Sequence, residues 1–390
     1  MPEFDPSGPE QARDSGDGSE RGTSPARATR RDGGSSGRSR GRSRASKHGH
    51  RSRGGASGPA YAAVDLGTNN CRLLVAKPTS KGRRGLRIID SYSDVVKLGD
   101  GLATTGRLSD RSMDAAVEAL KVCANKIHKR DTTAWRCVAT QACRQAENGA
   151  EFIKRVRDEV GLRLEVISPK IEARLSVMGC LNLVDPKKDV ALVVDIGGGS
   201  TELSWVDIRR LKSGRGRTNR PPINAWASLP VGVATLSEMF PEHDNRAAWY
   251  KAMKAHVRGC LVEQKCETNF TQVFAAGKGH IIGTSGTITS LAGVYLKLPY
   301  YQRRRIDGLW MPTTNAVEIA RDMASKNIVE RGQVPSIGED RATLLVAGCA
   351  IMDVLCEVWP GERIRVADRG LREGILMGLI NTPRSKGRRP

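Results

Sequence analysis

Two aspartates, Asp65 and Asp195, each end an apolar run, and each is followed by a turn of small or polar residues. The first segment is YAAVDLGTNNCRLLVA, from Tyr61, and the second is VALVVDIGGGSTELSWV, from Val190. A turn without bulky side chains lets backbone N–H groups approach phosphate oxygens, while a nearby carboxylate holds a hydrated Mg²⁺ ion. Both turns therefore predict phosphate and magnesium chemistry.

DIGGGSTE at 195–202 is the sharper motif, because three consecutive glycines precede two hydroxyl residues and a glutamate. A third turn, GTSGT at 283–287, also combines glycine with hydroxyl residues, although taken alone it is equally typical of an ordinary turn. Neither the GxGxxG fingerprint that opens a helix nor the GxxxxGK[ST] phosphate loop occurs in the chain. Rossmann and Walker-type sites are therefore excluded.

The elements that position these turns follow from hydrophobic periodicity. Each aspartate segment predicts a strand, a tight turn and a returning strand, and the 130-residue spacing of Asp65 and Asp195 predicts that one structural unit occurs twice. Ser109 is predicted to cap a helix. After this helix the periodicity predicts two strands, at 135–140 and 164–167, with a helix at about 146–160 between them. Further helices are predicted at about 172–181, 245–265 and 313–330, and a closing helix is predicted at 370–380. Paired strand-to-strand phosphate turns in an α/β chain are the pattern of the actin-like fold.

We expect four segments: a disordered Arg/Gly/Ser-rich tail at 1–59, two actin-like domains at 60–183 and 184–369, and a closing helix at 370–382 that packs back on the first domain. The two domains are expected to be ribonuclease H-like α/β units with a cleft between them. The tail has too few large apolar residues to offset its chain entropy. Its charge is −5 over residues 1–20 and +10 over residues 21–53. This pattern favours a loose contact with RNA or another polyanion, with a solvated tail as the equal alternative.

Composition points to a polyanionic ligand. The chain has 63 Lys and Arg against 42 Asp and Glu, a net charge of +21, of which +16 remains on residues 60–390 after the tail's +5 is subtracted. Aromatic residues are only 4%, which excludes extended base-stacking platforms. Nine cysteines without a CxxC pair favour neither a disulfide framework nor a zinc site and indicate a reducing cytoplasm. No apolar run reaches the roughly 18 residues of a membrane span, and no signal peptide is apparent.

Seven blocks in order make the chain resemble the exopolyphosphatase and guanosine pentaphosphate phosphohydrolase family in its short, two-domain form. The resemblance covers residues 60–380. The blocks are DLGTNN at 65–70, VKLGDGL at 96–102, ATQACRQAEN at 139–148, ISPKIEARL at 167–175, DIGGGSTEL at 195–203, GTSGT at 283–287 and ADRGLREG at 367–374.

The resemblance implies a role for each matching residue. Glu172 would be the general base that activates the attacking water, and Arg144 would contact the terminal phosphoryl group. Candidates for Mg²⁺ or its water shell are Asp65, Asp195 and Glu202. Candidate phosphate-binding residues are Thr68, Asn69, Gly197, Gly198, Gly199, Ser200, Thr201, Ser285, Gly286 and Thr287.

Other positions keep two interpretations at this point. Asp368 would face the same cleft or cap the closing helix. Cys143 is better explained as a small buried residue than as a reactive thiol. The run of arginines at 303–305 would extend a positive path or be solvated surface. The loop before Glu172 departs from the family, because Pro169, Lys170 and Ile171 stand where members commonly show a glycine and a second acid. A further departure is Asn70, which replaces a frequent small hydroxyl residue.

The expected function is a Mg²⁺-dependent exopolyphosphatase that removes terminal phosphate from inorganic polyphosphate. The first alternative is a 5′-phosphohydrolase of guanosine pentaphosphate (pppGpp), and the second is a non-catalytic protein that senses phosphate or nucleotide. We expect no membrane partner. The sequence does not fix the oligomeric state and is compatible with a homodimer.

Overall fold

The structure, a computed structural model, describes residues 58–79, 85–213 and 220–382 of the 390-residue chain. The predicted tail, apart from its last two residues, lies outside the described residues, and so does its proposed contact with a polyanion. Within those ranges no helix is long and apolar enough to cross a membrane. All nine cysteines fall in the described ranges, and each is a buried free thiol.

The first domain is built on a five-stranded mixed sheet. Its strands are β1 (Ala60–Leu66), β2 (Asn70–Pro78), β3 (Leu86–Val95), β4 (Thr132–Ala139) and β5 (Leu164–Val166). Their spatial order is β3-β2-β1-β4-β5. Strand β1 lies at the centre because its small apolar residues are buried on both faces. It pairs antiparallel with β2 and parallel with β4.

The second domain repeats this arrangement with one additional strand. Its strands are β6 (Val190–Ile196), β7 (Thr201–Asp207), β8 (Ile223–Leu229), β9 (Gly279–Thr284), β10 (Trp310–Pro312) and β11 (Arg363–Ala367). The spatial order is β10-β11-β9-β6-β7-β8. In the direction from β8 to β11, the strands β8, β7, β6, β9 and β11 correspond to β3, β2, β1, β4 and β5 of the first sheet. The central strand β6 is antiparallel to β7 and parallel to β9. Two ribonuclease H-like domains of the actin-like type are thus confirmed.

Helices cover both faces of each sheet. They are α1 (Leu102–Thr105), α2 (Asp110–Lys129), α3 (Gln141–Gln145), α4 (Gly149–Val160), α5 (Pro169–Cys180), α6 (Ile208–Lys212), α7 (Val233–Met239), α8 (Arg246–Glu263), α9 (Thr271–Ala275), α10 (Gly286–Tyr295), α11 (Arg303–Ile306), α12 (Thr313–Ser325), α13 (Ile328–Gly332), α14 (Glu339–Val358) and α15 (Leu371–Asn381). Side chains of α2 and α4 form one core with the first sheet. Side chains of α8, α10, α12 and α14 pack against the second sheet.

Helix α5 lies between the two sheets. Its Leu175 belongs to the core of the first sheet, together with Ile375 of α15. Its Val177 belongs to a separate core with the second sheet. A helix shared by both domains is well placed to carry a group into the cleft between them.

Helices α5 and α15 cross at glycines. A Cβ added to Gly374 would lie 2.0 Å from the backbone oxygen of Leu175, and one added to Gly179 would lie 2.0 Å from the oxygen of Gly370. Since real Cβ atoms do not approach an oxygen so closely, only glycine allows this crossing.

Helix boundaries differ from the predictions at two points. Ser109 caps α2 as expected, with its Oγ accepting from the amide of Ser112 at 3.2 Å. Helix α5, however, begins at Pro169, so the residues expected in a loop before Glu172 form its first turn. Proline is tolerated there because the first helical N–H has no intrahelical partner. The helix predicted at 313–330 is interrupted and forms α12 and α13.

Candidate active site

A cleft of about 900 Å³ is lined by residues of both domains. The turn between β1 and β2 contributes one wall, and the turns after β6 and β9 contribute the opposite wall. The first turn of α5 and the start of α15 also reach the cleft. The three Gly-rich turns singled out from the sequence therefore meet at one place.

The two aspartate hairpins touch each other across the cleft. A Cβ on Gly198 would lie 3.0 Å from the Cβ of Thr68, and one on Gly199 would lie 2.8 Å from its Oγ1. Glycine is required at both positions because a side chain would not fit. The backbone conformation is not the reason, since neither glycine has a positive φ. The Oγ1 of Thr68 is buried and has no hydrogen-bond partner among the described residues. An orphaned hydroxyl at this place is suited to a ligand oxygen.

Glu172 lies in the first turn of α5, on the cleft wall, with 9% of its surface exposed. Its Oε2 accepts from Nη1 of Arg144 at 2.8 Å. Burial raises the pKa of Glu172 well above its usual value, the negative charge of Glu202 raises it further, and Arg144 opposes both effects. A carboxylate with a raised pKa is a stronger base than a solvated one.

Arg144 is held by the protein on both of its terminal nitrogens. Besides Glu172, Nη1 donates to the backbone oxygen of Ile167 at 2.7 Å, and Nη2 donates to Oε1 of Gln141 at 2.7 Å. The described residues that line the cleft include Glu172 and Gln141 but not Arg144. The guanidinium fork that was expected to grip the phosphoryl group is thus engaged by protein acceptors.

Asp195 and Glu202 face each other directly across the β6–β7 ladder. Asp195 accepts from Ser176 of α5 at 2.5 Å, and Glu202 accepts from Ser200 at 2.7 Å and from Ser228 at 3.0 Å. Burial and then the charge of Asp195 raise the pKa of Glu202 to about 7. Like charges directly opposite in a ladder are destabilising, so a cation would relieve this pair.

Asp65 occupies the equivalent position in the first hairpin, but its cross-strand partner is Arg72. Burial raises the pKa of Asp65 to about 6, against the opposing charges of Arg372 and Arg72. Sequence reasoning missed Arg72. The duplication itself contained the signal, because Arg72 follows Asp65 by the same seven residues that separate Glu202 from Asp195.

The remaining wall comes from the C-terminal part of the chain and is rich in arginine, with Arg303, Arg341, Arg369 and Arg372 all lining the cleft. None of these four was a sequence candidate, apart from Arg303 as part of the run at 303–305. Among the described residues, the guanidinium of Arg372 makes no hydrogen bond, and its charge acts on Asp65. Burial lowers the pKa of Arg72, and the neighbouring charge of Arg372 lowers it further. Such a pair of guanidiniums is suited to an anion.

Asp368 lines the cleft and does not cap α15, whose N-cap residue is Gly370. Its carboxylate accepts from the hydroxyl of Tyr301 and lies 3.3 Å from Nε of Arg303. The interpretation of Asp368 as a helix cap was therefore wrong, and the interpretation as a cleft residue fits its position.

Most predicted phosphate-binding residues line the cleft, namely Thr68, Asn69, Gly197, Gly198, Gly199, Ser200, Ser285, Gly286 and Thr287. Thr201 does not, because it is fully buried and donates to the backbone oxygen of Val231 at 2.7 Å. Ser285 has a φ of 84°, so the turn after β9 holds a non-glycine residue in the left-handed region at the cleft.

Cys143 is buried, and burial raises its pKa to about 12, which excludes a reactive thiolate.

The donor atoms at the cleft suit a hard cation, since the buried acids Asp65, Asp195 and Glu202 all offer carboxylate oxygens. Across the described part of the chain, no three His, Cys, Asp or Glu side chains are grouped closely enough to hold a metal ion by themselves. Mg²⁺ commonly binds through one or two carboxylates together with substrate phosphates and water. The residues therefore fit Mg²⁺ bound together with a phosphate and do not form an all-protein metal cage.

Paired ribonuclease H-like domains, Gly-rich hairpins meeting in a cleft, a buried glutamate and surrounding guanidiniums define a phosphate-transfer or phosphate-hydrolysing protein of the actin-like type. The model of the Ppx/GppA phosphatase family matches residues 74–382. The chain belongs to this family, whose members are hydrolases of phosphoanhydride bonds that act on polyphosphate or pppGpp.

Solved structures agree with this assignment. The Ppx/GppA family member of Aquifex aeolicus is 26% identical, covers 83% of this chain and 99% of its own, and superposes with a TM-score of 0.66. A protein described as exopolyphosphatase-like is 27% identical, with coverages of 82% and 98% and a TM-score of 0.69. An exopolyphosphatase from Cytophaga hutchinsonii, at 23% identity and a TM-score of 0.71 over 83% of this chain and 98% of its own, shares the fold.

Proposed function

We propose that the protein is an exopolyphosphatase that releases terminal orthophosphate from inorganic polyphosphate, with Glu172 as the general base. The observation that carries this proposal is the placement of Glu172 on the wall of a cleft that both Gly-rich hairpins enter. The carboxylate is buried, is oriented by Arg144 and has a raised pKa. These are the properties that a base for water activation requires.

In the proposed reaction, a water oxygen attacks the terminal phosphorus in line with the bridging oxygen. The bond from phosphorus to the bridging oxygen breaks, and the water proton passes to Glu172. Backbone N–H groups of the glycine turns and the hydroxyl of Thr68 orient the phosphate oxygens. Arg144 keeps the carboxylate of Glu172 in place at 2.8 Å.

Mg²⁺, when bound, would neutralise phosphate charge, and Asp195, Glu202 and Asp65 are the residues that would hold it. The facing pair Asp195 and Glu202 supports this assignment, because two buried carboxylates in register repel each other. Their serine partners occupy one oxygen of each carboxylate and leave the second available.

Polyphosphate is the favoured substrate because the cleft is lined by Arg72 and Arg372, which lie near Asp65 but make no hydrogen bond within the described residues. A chain of phosphates supplies an anion for each guanidinium. Hydrolysis of pppGpp is the second candidate, because the family acts on both substrates.

The other assignments are proposals of the same kind. Domain boundaries at 183/184 and 369/370 place α5 with the first domain and α15 as a closing helix on its core. Cytoplasmic localisation is supported by nine buried free thiols, since disulfides form in oxidising compartments. We also propose that the tail contacts a polyanion and that the protein forms a homodimer.

The test is phosphate release from polyphosphates of increasing length and from pppGpp at equal concentration, with Mg²⁺ and with a chelator. We expect release from polyphosphate that rises with chain length and is lost in the chelator. Faster release from pppGpp at every concentration would transfer the assignment to the nucleotide. Release from neither substrate in Mg²⁺ would contradict the proposed function.

A further inference from the structure

Gln141 makes two contacts that no other described residue combines. It is the first residue of α3, separated by one residue from the end of β4, and it lines the cleft. Its Oε1 accepts from Nη2 of Arg144 at 2.7 Å. Its Cγ would lie 2.9 Å from a Cβ added to Gly199 of the opposite domain.

The first contact anchors the second terminal nitrogen of Arg144, Nη2, at 2.7 Å. Nη1 of this side chain bonds to both Ile167 and Glu172, whereas Nη2 bonds only to Gln141 among the described residues. Without the acceptor on Gln141, Nη2 loses its hydrogen bond, and the guanidinium is held through Nη1 alone. A displacement of the guanidinium would disturb the position of Glu172, whose Oε2 accepts from the same group.

The second contact joins this network to the other domain. Gly199 belongs to the turn between β6 and β7, and it packs on the aliphatic part of Gln141 and on Oγ1 of Thr68. Its φ is not positive, so the backbone does not demand glycine, and the missing Cβ lets the turn approach Gln141 and Thr68. The position of the glycine turn is thereby transmitted to the side chain that holds Arg144.

We propose that Gln141 is a positioning residue that couples the glycine turn of the second domain to the Arg144–Glu172 pair. The proposal rests on the proposed function, because it takes Glu172 as the base. The base is then fully oriented only when the turn between β6 and β7 is in contact with Gln141. Gln141 acts through Arg144 and need not touch the reacting atoms.

Two substitutions at Gln141 separate its roles. Gln141→Leu keeps the bulk against Gly199 and removes the acceptor, and Gln141→Glu keeps an acceptor for Arg144. We expect Gln141→Leu to lower kcat for phosphate release from polyphosphate by about tenfold to a hundredfold with little change in KM, the usual cost of a misplaced catalytic group. Gln141→Glu should retain most of kcat, with a higher KM because its carboxylate adds negative charge to the cleft. Gln272→Leu, an exposed residue of α9, is the matched control and should behave as wild type.

The coupling itself is tested by Gly199→Ala alone and combined with Gln141→Leu. If both changes act on one network, each should lower kcat, and the double variant should lose much less than the product of the two losses. Multiplicative losses would overturn the coupling. Equal loss of kcat in Gln141→Leu and Gln141→Glu, or a change in KM alone in Gln141→Leu, would overturn the positioning role.

Glu172→Gln, measured in parallel, separates this proposal from the function on which it rests. Inactive Glu172→Gln with fully active Gln141→Leu would refute the role of Gln141 and leave the base assignment standing. Active Glu172→Gln would refute the base assignment itself. Thermal unfolding of each variant, expected within a few degrees of wild type, shows whether a loss of kcat reflects loss of the fold.

Discussion

Replacing two glycines of α15 with alanine tests the crossing of α5 and α15, because the structure predicts opposite changes in stability at the two positions. In Gly374→Ala the new Cβ would lie 2.0 Å from the backbone oxygen of Leu175. Ordinary carbon–oxygen contacts are about 3.3 Å or longer, so the helices must separate by about 1 Å. Overpacking of this kind costs about 1–3 kcal/mol, which exceeds the gain of about 1 kcal/mol from the better helix propensity of alanine.

Gly378→Ala is the matched control, because a Cβ at Gly378 on α15 would meet nothing within 4 Å. This variant should gain about 0.5–1 kcal/mol from reduced backbone entropy of the unfolded chain. The two alanine variants should therefore differ by about 1–3 kcal/mol, or roughly 2–5 °C in melting temperature for a folded unit of this size. Since α5 carries Glu172, Gly374→Ala should also lower kcat. Thermal and urea unfolding measure the difference, and equal stability of both variants would refute the proposed crossing.

Three further predictions concern charges and the thiol. Arg372→Gln should raise the KM for polyphosphate about tenfold and weaken the salt dependence of KM. Arg304→Gln, on the exposed side of α11, should change neither quantity. Equal changes of KM in the two variants would contradict an anion site at Arg372. Burial holds the pKa of Glu202 near 7, so the folded protein binds the proton more tightly than the unfolded chain. In chelator, wild type should therefore lose stability relative to Glu202→Gln as pH rises from about 4.5 to 7, and a stability gap that does not change with pH in thermal unfolding would contradict this. Cys143→Ala should retain phosphate release, and the wild-type thiol should resist N-ethylmaleimide at pH 7, because burial raises its pKa to about 12; rapid labelling by mass spectrometry would show the site to be wrong.

The hairpins and their duplication could be predicted because local chemistry determines them. An aspartate at the end of an apolar strand, followed by small residues, specifies a turn without reference to the rest of the fold. The same device at Asp65 and Asp195 then predicted two equivalent units, and the matching strand orders confirm it. The start of α5 was missed because Pro169 was interpreted as a loop residue, although proline also suits the first helical position.

Long-range packing explains what the sequence did not reveal. Arg341 and Arg372 reach the cleft from the C-terminal part of the chain, and no spacing near them indicates a common site. Gly179 and Gly374 are glycine only because two helices cross there, which no local pattern reports. The side chain of Thr201 was misassigned because a hydroxyl beside three glycines resembles a phosphate ligand, whereas strand alternation turns it into the core.

The general base is tested most directly by Glu172→Gln, with Glu151→Gln on the exposed surface of α4 as its control. The amide keeps the shape of the side chain and cannot accept the water proton. Phosphate release from polyphosphate in Mg²⁺ should fall more than about a hundredfold in Glu172→Gln and stay at the wild-type rate in Glu151→Gln. A wild-type rate in Glu172→Gln would contradict the role of this carboxylate as the base.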